Sequence, residues 1–103
     1  MKKNVLFIRN KKNGYYRVVI DTIEDWEGFE KLAKYLEVNY QAELLESVDG
    51  PDARRWIFLI RRHKIELIHN DGYGNYLISP TVSGEELITE IGKDLEERLK
   101  AVE

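Results

Sequence analysis

Three short apolar runs in the second half of the chain constrain the fold more than any other feature. Residues 56–60 and 65–68 are separated by the basic cluster Arg61-Arg62-His63-Lys64, and residues 76–78 follow a segment rich in Gly and Asn. Runs of β-branched and aromatic residues bounded by Gly, Asn and charged residues are typical of antiparallel strands joined by tight turns. Residues 54–80 therefore predict a β-meander against which the other elements must pack.

Three further strands follow from the same kind of pattern. Residues 4–10 and 15–21 flank Asn13-Gly14, which favours a tight hairpin because both residues accept a positive φ. Residues 42–48 predict another strand, which Gly50 and Pro51 end within the turn at residues 49–52.

Two amphipathic helices are also predicted. Apolar residues three and four positions apart indicate a first helix that runs to about Tyr40, and a second helix with its apolar stripe between Ile88 and Val102. Capping-box spacing, with a short polar residue three positions before Glu, places the helix starts at Asp21 and Ser83.

The predicted order β-β-α-β-β-β-β-α describes a single α+β domain over residues 1–103. Its simplest arrangement is a two-layer domain, in which a mainly antiparallel sheet carries both helices on one face. Alternation along the strands then assigns side chains to the two faces. The predicted helix side holds Tyr16, Val18, Ile20, Trp56, Phe58, Ile60, Ile65 and Leu67. The predicted opposite side holds Tyr15, Arg17, Val19, Arg55, Ile57, Leu59, Glu66, Ile68 and Leu77.

That opposite side is too apolar for a fully solvated sheet face, where polar residues are expected. An exposed apolar patch of this kind usually marks a partner site, although a curled sheet or a covering loop would also explain it. One prediction is therefore a homodimer in which this face is buried through Tyr15, Ile57, Leu59 and Ile68.

Composition excludes several classes of protein. The chain has no cysteine, so it can form neither disulfides nor thiolate metal sites. Its apolar runs reach only about five residues, far fewer than the roughly 20 that a membrane helix needs. The basic start followed by one strand-length apolar run does not fit a secretory leader. We therefore expect a cytoplasmic protein of bacterial type.

The net charge of −3 hides a segregation of charge, since the predicted strands are basic and the predicted helices acidic. Charged helix faces are commonly just solvated. The more specific interpretation of this segregation is that the protein presents two surfaces of opposite charge. Acidic helices would suit a basic protein partner, because complementary charge speeds association. The predicted partner-binding residues are Glu27, Glu30, Glu37, Glu90, Asp94 and Glu97.

The alternative is a nucleic-acid-binding domain in which strand aromatics stack on bases and basic side chains hold phosphates. The isoelectric point near 5.5 and the acidic helices oppose this interpretation. Its candidate residues are Lys11, Arg17, Arg55, Arg61, Arg62, Lys64 and Tyr73.

No pattern predicts catalysis, a metal site or a cofactor. The two histidines, His63 and His69, lack the spacing of metal ligands, and no serine lies in a recognisable triad context. His69 shares strand parity with Ile65 and Leu67, which predicts a partly buried imidazole held by a hydrogen bond. Trp56 shares a face with Phe58 and is predicted to anchor the core.

The order of elements and the turn into the meander, Asp49-Gly50-Pro51-Asp52-Ala53-Arg54-Arg55-Trp56, resemble a class of small uncharacterised bacterial α+β domains. Small acidic domains of this size also resemble the immunity proteins of bacterial toxin systems. That resemblance implies a non-enzymatic protein that inhibits by binding, and it supplies no functional residues. The sequence as a whole predicts a non-catalytic protein-binding domain, with an immunity or antitoxin-like inhibitor of a basic partner as its most specific form.

Overall fold

Six strands form one antiparallel sheet, and two helices lie on one of its faces. The computed structural model describes residues 3–102. Its elements are β1 (Val5–Arg9), β2 (Tyr16–Ile20), α1 (Trp26–Tyr40), β3 (Glu43–Asp49), β4 (Ala53–Ile60), β5 (His63–Asn70), β6 (Gly74–Ile78) and α2 (Val82–Ala101). The predicted order and the predicted α+β class are confirmed.

The strands lie in the order β1-β2-β6-β5-β4-β3. The β1–β2 hairpin adds to the meander by pairing β2 with β6, so that Val18 lies opposite Leu77. The edge strands are β1 and β3, and β3 carries a register shift between Leu44 and Glu46.

The core lies between the sheet and the helices. Phe29 and Leu36 of α1 and Ile88 and Ile91 of α2 are at most 1% exposed and pack on one face of the sheet. Val18, Ile20, Phe58, Ile60, Ile65 and Leu67 supply the sheet side of this core, and Tyr16 and Trp56 pack against it partly buried. The predicted helix side of the sheet is therefore confirmed.

Leu77 was placed on the wrong face by the sequence pattern. It lies opposite Val18 and Leu67, which are both core residues, and it is 1% exposed. The error comes from the turn between β5 and β6, because its length decides which residues of β6 face the helices. Alternation within the three apolar residues 76–78 cannot show that length. Val102 was also wrongly assigned to the core stripe, since α2 ends at Ala101 and Val102 is exposed.

Both helix starts differ from the capping-box prediction. Asp25, not Asp21, caps α1, because its side chain accepts a hydrogen bond of 2.7 Å from the N–H of Gly28. Thr81, not Ser83, caps α2 and accepts from the N–H of Gly84. In the first case, residues 21–24 are held outside the helix because Asn75 Nδ2 donates to the carbonyl oxygens of Ile23 and Asp25.

The β4–β5 turn is shorter than the basic cluster that predicted it. Only Arg61 and Arg62 lie outside the strands, with φ of 49° and 70°, and His63 already pairs with Ile60. Two consecutive residues at positive φ are typical of a type I′ hairpin turn, which usually contains Asn and Gly. No helix within residues 3–102 is long and apolar enough to cross a membrane.

Candidate functional site

The sheet face that the helices leave uncovered carries apolar side chains around the ion pair of Arg55 and Glu66. Both helices pack on the opposite face, and this one carries alternate side chains of β2, β6, β5 and β4. We call it the open face and define it by Val19, Ile57, Leu59, Ile68, Tyr76 and Ile78. Val19 and Ile78 are buried, while the other four residues are partly buried.

One arginine and three tyrosines form a cluster at the end of the open face. The guanidinium carbon of Arg17 lies 4.5 Å from the ring centroid of Tyr73, 5.2 Å from that of Tyr76 and 5.6 Å from that of Tyr15. Burial raises the pKa of Tyr76, although the nearby Arg17 acts in the opposite direction. Arg17 contacts no carboxylate in the part of the chain that the structure describes. We call these four residues the tyrosine–arginine cluster.

The predicted dimer residues come together on this face. Ile57, Leu59 and Ile68 belong to the open face, and Tyr15 stands beside Arg17 at its rim with 43% of its surface exposed. Their grouping was predictable from strand parity alone, whereas the tyrosine–arginine cluster needed the pairing of β2 with β6.

The predicted acidic helix face is largely neutralised by cations of the same chain. Glu30 pairs with Arg54 at 3.1 Å, and Glu90 pairs with Arg61 at 2.9 Å. Asp94 accepts from Tyr35 and Arg98, and Glu97 lies 3.9 Å from Lys100. Within residues 3–102, only Glu27 and Glu37 of the predicted set have no ion pair.

The candidate nucleic-acid residues are dispersed. Arg17 and Tyr73 meet in the tyrosine–arginine cluster, but Arg55 is paired with Glu66 at 2.7 Å. The others lie in the β1–β2 loop, in the β4–β5 turn and at the start of β5; they are Lys11, Arg61, Arg62 and Lys64. The seven residues therefore do not form one basic strip.

A second site, which the sequence did not predict, is an acidic cleft of about 560 Å³ at one end of the sheet. It lies where the segment after β2 meets the β3–β4 and β5–β6 turns. Trp26, His69 and Tyr73 contribute to its walls. We call it the acidic cleft, and its carboxylates are Asp21, Glu24, Asp25, Asp52 and Asp71. Since they come from three segments distant in sequence, only the strand order could bring them together.

His69 opens into this cleft although its side chain is only 6% exposed. The amide nitrogen of Asn75 donates to two carbonyl oxygens, at 2.8 and 3.1 Å, so its Oδ1 is left as an acceptor. His69 Nδ1 lies 2.9 Å from that oxygen and therefore carries the hydrogen. The predicted hydrogen-bonded imidazole is confirmed, and its neutral form presents the unprotonated Nε2 to the cleft.

Arg54, behind the cleft wall, is structural and was not recognised from the sequence. It is 6% exposed, and its guanidinium lies within 5 Å of the ring centroids of Trp26, Phe29 and Trp56. Asp49 and Glu30 neutralise it. Hydrogen bonds from Arg54 and Trp56 hold the pKa of the Asp49 carboxyl below its usual range.

Among residues 3–102, no group of three or more His, Asp or Glu side chains is arranged to hold a metal ion. Comparisons with protein-family models, with curated proteins and with solved structures gave no match. The candidate sites therefore have to be interpreted from their own geometry.

Proposed function

We propose that this chain is a non-catalytic protein-binding domain that docks a protein partner on its open face. The observation that carries the proposal is the apolar open face with the tyrosine–arginine cluster at its end. Tyr and Arg are enriched where binding energy concentrates in protein interfaces, while Lys and Glu are depleted there. Exposed Tyr73 and Tyr15 beside an unpaired Arg17 fit that composition.

The size of the open face suits a specific interface. The four strands of the open face, spaced by about 4.8 Å and with five to eight residues each at about 3.3 Å per residue, span roughly 300–500 Å² in projection. A standard interface buries about 800 Å² on each partner. A partner that covers the face and its rim would reach that area.

The charge beside the open face favours a basic partner. Tyr73 belongs both to the tyrosine–arginine cluster and to the wall of the acidic cleft, so the two surfaces are continuous. A partner with an apolar patch next to a basic segment would contact both at once, and complementary charge would speed its association. Such a domain would act by covering the basic surface of its partner, as an immunity or antitoxin-like inhibitor of a nuclease does.

The test is a partner titration with variants of the open face. After a candidate partner has been identified by affinity capture, its dissociation constant with the purified chain is measured by calorimetry. Ile68→Glu places a charge in the middle of the open face and should weaken binding about 100-fold or more, as expected for a central interface residue. Val38→Glu, at an exposed position of α1, is the matched control and should bind like wild type. Equal affinities for both variants would remove the open face as the docking surface.

Sedimentation of the chain alone tests the homodimer. If the partner is a different protein, the chain alone should sediment as a monomer at micromolar concentration. A dimer that Ile68→Glu dissociates would show that a second copy occupies the open face and would overturn the proposal of a different partner.

Single-stranded nucleic acid is the second candidate function, and the position of Arg17 among three tyrosines on an uncovered sheet face favours it. Bases could stack on Tyr15 and Tyr73, each stack contributing about 1–3 kcal/mol. Anisotropy of a labelled single-stranded oligonucleotide at low salt separates the two functions. Binding that Arg17→Ala abolishes would favour nucleic acid over a protein partner.

A further inference from the structure

We propose that the free edge of β3 accepts an extended segment of the protein partner as an antiparallel seventh strand, with a lysine or arginine of that segment beside Glu46. This inference rests on the proposed function, and it names the backbone conformation and the charge that the partner must supply at the rim of the open face.

The two edges of the sheet differ in how far the chain itself covers them. At the β1 edge, Glu96 of α2 accepts a hydrogen bond of 3.1 Å from the N–H of Val5, and the ring of Phe7 lies against Gly92 of the same helix. At the other edge, β3 packs closely on β4 alone, and all seven of its residues are exposed. The edge of β3 is therefore the one that is open to an added strand.

The pairing with β4 shows which backbone groups of β3 point outward. The N–H of Gly50 donates to the carbonyl oxygen of Ala53 at 2.8 Å, and the pairing then continues without a shift from Asp49 to Glu46. Since hydrogen-bonded and non-bonded pairs alternate in an antiparallel ladder, Ser47 and Asp49 direct their N–H and C=O groups away from β4. No turn and no side chain within residues 3–102 hydrogen-bonds these groups. A partner strand can therefore form main-chain hydrogen bonds there, which is how strand addition gains its affinity.

The side chains of β3 continue the open face. Val48 lies opposite Arg55 and Glu46 lies opposite Ile57, so both stand on the side of the sheet that the helices leave uncovered. A partner that covers the open face thus meets the β3 edge without a gap. Strand addition at β3 would extend the same interface.

The charge of β3 determines which segment fits. The strand carries three acids and no base, and the acids are Glu43, Glu46 and Asp49. Glu46 lies 3.8 Å from Arg55, with both side chains exposed, and Glu43 has no ion pair within residues 3–102. Opposite charges on neighbouring strands attract and like charges repel, so a second copy of β3 would bring acids against acids. A basic segment is favoured over a second copy for this reason.

The length and pattern of the segment follow from the pairing. The register shift between Leu44 and Glu46 interrupts the regular edge, which limits the added strand to residues 46–49. Alternate residues of a strand share one face, so the partner residues beside Val48 and Glu46 are two positions apart. In an antiparallel strand the apolar residue beside Val48 comes first and the basic residue beside Glu46 follows it.

The probe is the blocked pentapeptide acetyl-Thr-Val-Thr-Lys-Thr-amide, which places its valine beside Val48 and its lysine beside Glu46. Binding is followed by NMR, through the chemical shifts and the solvent exchange of the N–H groups of Ser47 and Asp49. We expect millimolar binding that slows exchange at these two N–H groups and leaves that of Val48, which points to β4, little changed. Saturation without slower exchange at Ser47, or no saturation in the millimolar range, would overturn the proposal.

Methylation of the peptide backbone separates strand addition from simple charge attraction. A methyl group on the nitrogen of the central threonine removes the N–H that bonds the carbonyl oxygen of Ser47, and it should weaken binding about fivefold to tenfold, the scale of one lost hydrogen bond. The same methyl group on the valine nitrogen, whose N–H points away from β3, should weaken binding much less. Equal losses would show that the peptide is held without a β-ladder and would refute the proposal.

A charge reversal locates the basic residue of the segment. Glu46→Lys should weaken the lysine peptide about fivefold and strengthen the glutamate analogue, acetyl-Thr-Val-Thr-Glu-Thr-amide, by a similar factor, as expected for exposed ion pairs. Glu37→Lys on α1 makes the same change of net charge away from the edge and should alter both affinities much less. Equal effects of the two variants would overturn the position of the cation beside Glu46.

Ser47→Pro removes the outward N–H from the protein side. Proline is tolerated on edge strands where the missing N–H faces solvent, so the ladder with β4 should persist and circular dichroism should show a folded chain. The variant should lose peptide binding, whereas Ser47→Thr keeps the N–H and should bind like wild type. Wild-type affinity in a folded Ser47→Pro variant would overturn the proposal, and the methylated peptides decide the question if this variant does not fold.

Failure of this inference and failure of the proposed function give different results. Ile68→Glu lies on β5, two strands away from β3, and should leave peptide binding unchanged. If the peptide does not bind but partner affinity still depends on Ile68, only strand addition is refuted. If the peptide binds and partner affinity ignores Ile68, only the docking role of the open face is refuted. Exchange at Ser47 that slows as the concentration of the chain alone rises would show that a second copy occupies the edge, and it would overturn the proposal.

Discussion

Arg54 and Trp56 donate to the same carboxylate oxygen. Arg54 Nε lies 2.9 Å and Trp56 Nε1 lies 2.8 Å from Asp49 Oδ1, and the guanidinium carbon is 4.9 Å from the centroid of the Trp56 ring. Trp56 also meets Phe29 of α1 edge to face at 5.2 Å. This cluster thus holds α1 against the β3–β4 edge of the sheet. Removing one of its members should lower the free energy of unfolding.

Trp56→Ala should therefore destabilise the domain strongly. Truncation of a buried Trp costs about 3–5 kcal/mol, and the partial exposure of Trp56 places the expected cost near 3 kcal/mol. For a domain of this size that corresponds to a fall of more than about 10 °C in Tm. Tyr73→Ala, at a residue 60% exposed, is the control and should melt near wild type. A Trp56→Ala melt within about a degree of wild type would contradict the core role and favour a ligand-stacking one.

The limits of sequence reasoning are visible in this same cluster. Trp56 was placed correctly because alternation within β4 fixes its side of the sheet, but Arg54 has the same parity and was not recognised as a buried residue. Sequence alone does not show that two acids and three rings converge on one guanidinium. Burial of a charge depends on such partners, four of which are contributed by α1 and β3.

The open face and the acidic cleft were predictable to different degrees, because only the first depends on patterns local to each strand. The open face follows from period-two alternation, a property local to each strand, and only Leu77 was misassigned because a turn set its phase. The acidic cleft depends on the strand order, which places the β5–β6 turn next to the end of β2. Local patterns carry no information about that adjacency.

Stability should fall in acid through Asp94. Hydrogen bonds from Tyr35, and then from Arg98, hold the pKa of the Asp94 carboxyl below its usual range. A group whose pKa is lowered by folding stabilises the protein above its unfolded pKa, about 3.9 for Asp, and loses that contribution as the pH falls further. Urea midpoints should therefore drop below about pH 4. Asp94→Asn should be less stable at neutral pH and show a smaller drop in acid. Glu37→Gln is the control. If the urea midpoint of Asp94→Asn falls in acid as steeply as those of wild type and Glu37→Gln, Asp94 is not the group responsible.

Tyr35, which donates a hydrogen bond to Asp94, should make the stability fall in alkali. Burial, and then the hydrogen bond to Asp94, raise the pKa of Tyr35. In the unfolded chain the phenol ionises near pH 10, so the contribution is complete below about pH 10 and is lost as the pH rises further. Tyr35→Phe should flatten the alkaline fall in urea midpoint, whereas Tyr73→Phe should keep the wild-type profile. If the two variants lose stability in parallel above about pH 10, Tyr35 is not the group responsible.

Arg62→Gly should stabilise the protein. Arg62 stands at φ of 70° in the β4–β5 turn, a left-handed conformation that costs about 1–2 kcal/mol for a residue with a β-carbon and little for glycine. Within residues 3–102 its side chain makes no hydrogen bond or ion pair, so the substitution removes strain without removing a contact. We expect a gain of about 1 kcal/mol, or roughly 4–8 °C in Tm.

Arg62→Ala keeps the β-carbon and should gain little. Arg61→Gly should gain less than Arg62→Gly, because it also loses the ion pair with Glu90, worth up to about 1 kcal/mol. A Tm of Arg62→Gly at or below that of Arg62→Ala would show that the turn carries no strain that glycine can relieve.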